Sequence, residues 1–459
     1  MRGYAGILFA LVLAHPVAAH PVAAPSAGQA VAPAAAAPAE TLFRNVRVFD
    51  GKSDRLSAPT SVLVRGNVIA AIGETAGASP GATVVEGGGR TLMPGLIDAH
   101  WHAMFVRPTP EQMMLGDYGF NVLQAGAEAT ATLLRGFTTV RDVGGPSFGL
   151  KQAIDSAVLP GPRIWPSGAL ITVTSGHGDF RMPSELPRDG SKPLSRMEQL
   201  GATMVADSPD QVRERVREQL MLGASQIKLT GGGGVASPHS PLDVSTFTPE
   251  ELKAAVEAAA NWGTYVTVHA YTSPAVRRAI DAGVKVIEHA QLMDDATAKY
   301  MADRGVWLSA QPIVEEFFGG MFPPGSEQAE KAAEVMAGTD RLYGLAKKYN
   351  LKVAFGTDVL FSAAMARMQG RMLASLSKWY TPAEILRQAT GTNAELLTLS
   401  GKRSPYKGRL GVVDEGALAD LILVDGDPLS NINLVSDPER NFLVIMKDGK
   451  VYKNSLARP

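Results

Sequence analysis

Eight apolar segments recur along this chain, at 92–100, 137–143, 163–170, 225–230, 265–271, 285–290, 306–311 and 352–358. Between most of them lie amphipathic stretches such as "PDQVRERVREQLMLGA", "TPEELKAAVEAAANWG" and "SPAVRRAIDAG". The second and third begin with Thr or Ser followed by Pro, the signature of a helix N-cap and first turn. All three close on Gly or Gly-Ala, as helix C-termini often do. Strand, helix and strand repeated in this way predict an α/β fold, a (β/α)8 barrel. The chain's 459 residues are enough for that barrel and a small accessory domain.

The accessory domain is expected from both ends. Residues 41–92 and 401–459 read as short alternating strands with turns at Asp50-Gly51, Arg65-Gly66-Asn67 and Asp448-Gly449. They predict a small β-sandwich in two parts around a barrel at 93–400. Residues 1–19 carry Arg2, an apolar run at 7–14 and small residues at Val17 and Ala19, the pattern of a cleaved signal peptide. The run is far shorter than the ~20 residues a spanning helix needs, so no stable membrane insertion is expected after cleavage. Residues 20–40, rich in Ala and Pro, read as a disordered tether. An exported protein, periplasmic or secreted, is the expectation. A net charge of −1 gives no footing for a nucleic-acid partner. With no cysteine, disulfides and thiolate ligands are excluded, and any metal must be held by nitrogen and oxygen.

Catalytic groups on barrel folds sit at the C-terminal ends of the strands. "TLMPGLIDAHWHAMF" closes the first segment with His100 and His102, two residues apart and so on one face of a strand. "ASQIKLTGGGG" places Lys228 before a glycine run, "YVTVHAYT" ends in His269, "VKVIEHAQ" in His289 and "KVAFGTDV" in Asp358. Each alone has an ordinary reading: a hydrogen-bonded structural histidine, a helix-capping aspartate, a lysine reaching solvent. Together they read as a metal-ligand set. Of eight histidines, His15 and His20 lie in the leader and tether, and four of the remaining six fall at these strand ends.

This arrangement resembles the amidohydrolase superfamily, whose pattern "PGLIDAHWH", the strand-four Lys, the two later His, "FGTD" and "EGALADLILVDGDPL" match in order over roughly 41–453. "SGHGD", "IKLTGGGG" and "VHAYT" look like its prolidase- or carboxypeptidase-like branch, some members of which act on ochratoxin A. The resemblance implies two divalent metal ions, with Zn2+ the best fit to nitrogen and oxygen ligands and Mn2+, Co2+ or Fe2+ as alternatives. His100, His102 and Asp358 would hold one and His269 and His289 the other. Lys228, carbamylated by CO2, would bridge both. A metal-bridging hydroxide would cleave the amide bond to a C-terminal amino acid in a dipeptide or N-acyl amino acid, with Asp358 moving the proton.

Other readings are weighed on the same residues. Deaminases and imidazolonepropionases of this superfamily use one metal and place Glu three residues after the strand-five His, where this chain has Thr272. That departure favours two-metal amide hydrolysis over ring deamination or other cyclic-amide chemistry. An exported binding protein that kept the fold would be expected to have lost ligands, and none is lost. For substrate contact the candidates are His177 in the long segment 172–207, Tyr271, which shares a face with His269, and Arg141 in "TVRDVGG". Arg141 reads equally well as an ion-pair partner, and Arg181, Arg188 and His239 as rim residues. The resemblance also implies a ring-like homo-oligomer such as an octamer.

Overall fold

The computed structural model describes residues 38–74, 76–188 and 193–456. The expected leader and nearly all of the tether lie outside the described residues. Eight parallel strands surround the barrel axis: Leu96–Trp101, Phe137–Asp142, Arg163–Pro166 continued as Leu170–Thr172, Ile227–Thr230, Val266–Thr272, Val286–Leu292, Trp307–Ala310 and Val353–Phe355. Parallel strands of a barrel are buried on both faces, and Val266–Thr272 and Val286–Leu292 are buried at every residue but the last, the polar His269, Glu288 and His289 included. Helices cover them from outside. Helix Pro249–Asn261 has Thr248 as N-cap, with Glu251 closing a capping box, and buries Leu252, Ala254, Ala255, Ala258 and Ala259. Helix Pro209–Leu222 ends at Gly223, whose φ of +102° suits glycine. No described helix is long and apolar enough to cross a membrane.

Two strands differ from expectation. The run 92–100 splits at Gly95: Thr91–Pro94 pairs antiparallel with Leu421–Val424 in the terminal sheet, and only Leu96–Trp101 enters the barrel. The chain crosses close to the second strand there, since a Cβ on Gly95 would sit 2.1 Å from Thr138 Oγ1. The third strand breaks at residues 167–169. Its first half pairs with the second strand and its second half with the fourth. Gly168 turns the chain at φ +75°, and the Gln219 side chain accepts from the freed Ala169 N–H at 2.9 Å.

The terminal sheet takes strands from both chain ends, in the order Lys450–Asn454, Phe442–Lys447, Leu421–Val424, Thr91–Pro94, Glu40–Val48, Thr60–Arg65 and Val68–Ile72, with Thr83–Glu86 beside Glu40–Val48. Its core includes Phe43, Val46, Val62, Leu92, Leu421 and Val444.

The barrel closes largely through side chains, beside one backbone bond from Asp358 N–H to His100 O at 2.9 Å. Asn393 Nδ2 donates to both Ile97 O and Phe355 O at 2.8 Å, and its Oδ1 accepts from Phe355 N–H at 3.0 Å. The buried Asp98 carboxylate accepts from His100 N–H (3.0 Å), Thr357 N–H (3.1 Å), Thr357 Oγ1 (2.6 Å) and Gln369 Nε2 (2.9 Å). These bonds tie the first strand to the segment that carries Asp358.

Candidate metal centre

Four imidazoles, one carboxylate and one amine meet at the C-terminal ends of the strands. His100 Nε2 and His102 Nε2 lie 3.2 and 3.1 Å from Asp358 Oδ1. The His289 ring lies 4.9 Å from that of His100 and 4.5 Å from that of His269, centroid to centroid. A ring nitrogen of His100, one of His289 and an oxygen of Asp358 all lie within 4.8 Å of one another. Lys228 is buried on the same pocket floor, and its Nζ has no hydrogen-bond partner among the described residues. Left-handed backbone recurs here in residues other than glycine, at His289 (φ +79°), Ala290 (φ +62°) and Asp358 (φ +55°). Such conformations concentrate at functional sites. At the sixth strand this geometry accompanies two consecutive residues, Glu288 and His289, that both lie against His100.

Each of the four imidazoles spends one nitrogen on the protein. His100 Nδ1 lies 2.7 Å from Glu288 Oε2, His102 Nδ1 3.1 Å from Gly144 O, His269 Nε2 2.8 Å from Gly233 O and His289 Nδ1 2.7 Å from Gln311 Oε1. Each of these partners is an acceptor, and at His100 the Glu288 carboxylate at 2.7 Å outweighs the Gln311 Nε2 donor at 3.2 Å, so each of these nitrogens carries the proton. The remaining nitrogens present lone pairs. His100 Nε2 and His102 Nε2 therefore face the Asp358 carboxylate as acceptors toward an acceptor at about 3 Å, a contact that a cation satisfies. The donor set thus fits divalent metal, and its chemistry, imidazole and carboxylate without thiolate, suits Zn2+ or a neighbouring ion.

Glu288 is fully buried and held from beneath by Arg141 at 2.5 Å and by the Thr267 hydroxyl. Glu288→Gln is expected to lower metal affinity by about 10- to 100-fold, the usual cost of losing an outer partner of a ligand. Competition with a chelator of known affinity measures this, and unchanged retention of metal would refute it.

A proton satisfies the same contact: against burial, which lowers it, Asp358 and Glu288 raise His100 above the ordinary histidine value, and Asp358, which burial alone would raise, is held well below the usual carboxylate range by the facing His100 and its contacts with both histidines. Burial lowers Lys228 to about 8 and His177 to about 4, and holds His269 and His289 well below the ordinary histidine value.

Above the floor the pocket walls are mostly apolar, with Phe105, Phe180, Ile313, Phe318, Val335 and Phe361 among the lining residues. Outside the six residues of the cluster, the polar side chains that line it are His177, Tyr271, Thr203 and Thr230. The His177 ring packs 4.3 Å from His269, and Tyr271 lies 4.9 Å from His269 and 5.1 Å from His289. The Tyr271 hydroxyl has no hydrogen-bond partner among the described residues. The expected role of Arg141 as a carboxylate contact needs correction. Its guanidinium is fully buried inside the barrel and is taken up by Glu288, Ala99 O (2.6 Å) and Tyr265 (3.3 Å). Arg181 pairs with Asp179 and Arg188 with Glu198, while His239 is exposed. Within the long segment 172–207, Thr203–Val205 returns to pair with Leu170–Thr172.

Sequence reasoning missed Glu288, Gln311, Asp98 and the glycine run. An acid inside "VIEHAQ" and a Gln at the end of the seventh strand were available signals of the same strand-end kind. The glycines act through backbone: Gly233 O orients His269, and a Cβ on Gly234 would lie 2.0 Å from His177 Nδ1.

Comparison with known proteins places this geometry. Residues 91–452 match the Amidohydrolase family model. An ochratoxinase from Aspergillus niger is 31% identical over 383 residues, covering 79% of this chain and 75% of the relative. The crystal structure of a prolidase complexed with N-methylphosphonate-L-proline superposes with a TM-score of 0.83 at 32% identity, covering 90% of this chain and all of that one. A Xaa-Pro dipeptidase with methionine bound in its active site gives a TM-score of 0.77 at 29% identity, covering 91% of this chain and all of that one. The chain belongs to the amidohydrolase family, on the branch of these relatives, and is a metal-dependent hydrolase of amide bonds.

Proposed function

We propose that the protein cleaves the amide bond to the C-terminal amino acid of dipeptides and N-acyl amino acids. The observation that carries this reading is a cluster able to hold metal on the floor of a largely apolar pocket, with two donors, His177 and Tyr271, beside it. The prolidase and ochratoxinase relatives support the same class of bond. His100, His102 and Asp358 would hold one divalent ion and His269 and His289 a second, with Zn2+ the best match. Lys228 would serve both as a carbamate. Its neutral amine adds to CO2 and loses a proton, which turns a cation into an anion, and burial already favours that neutral amine. When bound, the ions supply Lewis-acid polarisation of the carbonyl and acidify water. The carboxylate of Asp358 faces the pocket, accepts the proton of the attacking water and returns it to the leaving nitrogen. His177 and Tyr271 donate hydrogen bonds to the substrate, Tyr271 to its carboxylate.

Metal analysis of the purified protein is expected to find about two divalent ions per chain. Full activity in a metal-free preparation, with no response to chelators, would overturn the reading. The carboxylate is tested by pairing each free acid with its C-terminal amide in a screen of dipeptides and N-acyl amino acids that includes ochratoxin A. The amide is expected to have a sharply lower kcat/KM, because binding remote from the scissile bond helps to orient it. Tyr271→Phe is expected to weaken that preference by about 1.5–3 kcal/mol, the range for a hydrogen bond to a charged group. If wild type cleaves acid and amide equally, a general amidase is left. If Tyr271→Phe discriminates as well as wild type, the contact belongs to another residue. Export, inferred from residues 1–19, is checked by N-terminal sequencing of the protein recovered outside the cytoplasm.

A further inference from the structure

The loop after the fourth strand carries a serine that the reaction outlined above does not use. Ser237 is 1% exposed, and its Oγ lies 2.9 Å from Gly178 N and 2.9 Å from His177 Nδ1. The Gly178 N–H can only donate, so one lone pair of Oγ is committed. A neutral imidazole carries a single N–H, at Nδ1 or at Nε2. If it were at Nδ1, the serine would accept twice and its own hydrogen would be left without an acceptor among the described residues. A buried donor left unpaired costs about 1–3 kcal/mol. If the proton is at Nε2, Oγ–H donates to Nδ1 and every group is satisfied. Nε2, the remaining polar atom of a ring that lines the pocket, then carries the hydrogen.

We infer that Ser237 is a positioning residue that fixes His177 as the Nε2–H tautomer, so that the ring meets the substrate as a hydrogen-bond donor. The substrate half of this statement rests on the function proposed above; the tautomer does not. The surroundings hold the arrangement in place. His177 packs against His269 and lies against Gly234, where any side chain would collide with the ring. The backbone of the serine loop is anchored by Lys331, a buried lysine on helix Glu327–Lys348 whose Nζ donates to Ser240 O at 3.0 Å and to Ser237 O at 3.5 Å. A hydroxyl suits the place because it can accept from one neighbour while donating to another. Alanine can do neither.

The test is the protonation pattern of His177 in the zinc-loaded, substrate-free protein. Nitrogen NMR of 15N-histidine-labelled protein reads it, with the His177 resonances assigned by their loss in His177→Gln. In wild type the proton is expected on Nε2 and absent from Nδ1; a proton on Nδ1 would overturn the inference. Ser237→Ala is expected to leave a mixture of tautomers and to lower kcat/KM by about tenfold, the worth of one hydrogen bond. Ser237→Thr, which restores the hydroxyl, is expected to recover both. A Ser237→Ala protein that keeps the pure Nε2–H form would equally refute the role of the serine. If the tautomer shifts as expected while kcat/KM stays unchanged, the lock stands and it is the proposed contact between His177 and substrate that fails.

Discussion

Asp358→Asn is expected to lower turnover by about 100- to 10,000-fold, the span seen when a positioned acid–base group is lost. The amide has nearly the same shape as the carboxylate, and the surrounding grip is unchanged, since the Asp358 N–H donates to His100 O at 2.9 Å whatever the side chain. What changes is the atom facing His100 and His102. A carboxylate oxygen can accept a proton from water and return it, whereas an amide cannot. KM is expected to move less than kcat, because the group acts on the attacking water and not on the ground-state substrate. Metal content must be measured alongside, since the same carboxylate is placed to hold an ion. An Asn variant that retains its metal and turns over like wild type would assign the proton transfer to another residue.

Lys228→Ala is expected to lower kcat/KM by at least ~100-fold, since even outer partners of a ligand cost 10- to 100-fold when removed. The argument starts from an amine with no acceptor in a pocket of imidazoles. An ammonium at that position would repel divalent cations, and burial already disfavours it. The carbamate reading makes a second, separable prediction: added short-chain carboxylic acids partly restore the Ala variant by supplying an anion to the vacated space. A fully active enzyme whose high-resolution density shows a bare amine at Lys228 would refute the carbamate and leave the metal site to the five other residues.

The six residues of the cluster are legible in the sequence because a barrel imposes a rule. Strands run parallel, their C-terminal ends share one face, and polar residues closing apolar runs therefore meet. His100, Lys228, His269, His289 and Asp358 each lie at or near the C-terminal end of such a run, and His102 follows His100 at strand spacing. The hairpin at Asp448-Gly449 was legible for a local reason: both residues take positive φ, which that dipeptide tolerates.

Groups whose role depends on a partner distant in the chain were not readable. Arg141 could be read as a carboxylate contact or equally as an ion-pair partner; it points into the barrel, where Glu288, 147 residues away, claims it. Nothing near Arg141 in sequence announces that partner. Glu288 itself broke the alternation rule, because the left-handed backbone at His289 and Ala290 lets two successive residues face the same centre. The glycines at 231–234 read only as a run that follows Lys228, while part of their meaning lies in what they leave room for, the ring of His177 arriving from another loop. The sequence by itself determined the strand count, the barrel and the six polar residues that meet at one end of it, since periodicity and strand-end position are local properties multiplied by a regular fold. Only the tertiary structure decided which nitrogen of each histidine is free, which acid supports it and which hydroxyl orients the ring above, because hydrogen-bond direction is set by side chains that meet only after the barrel has closed.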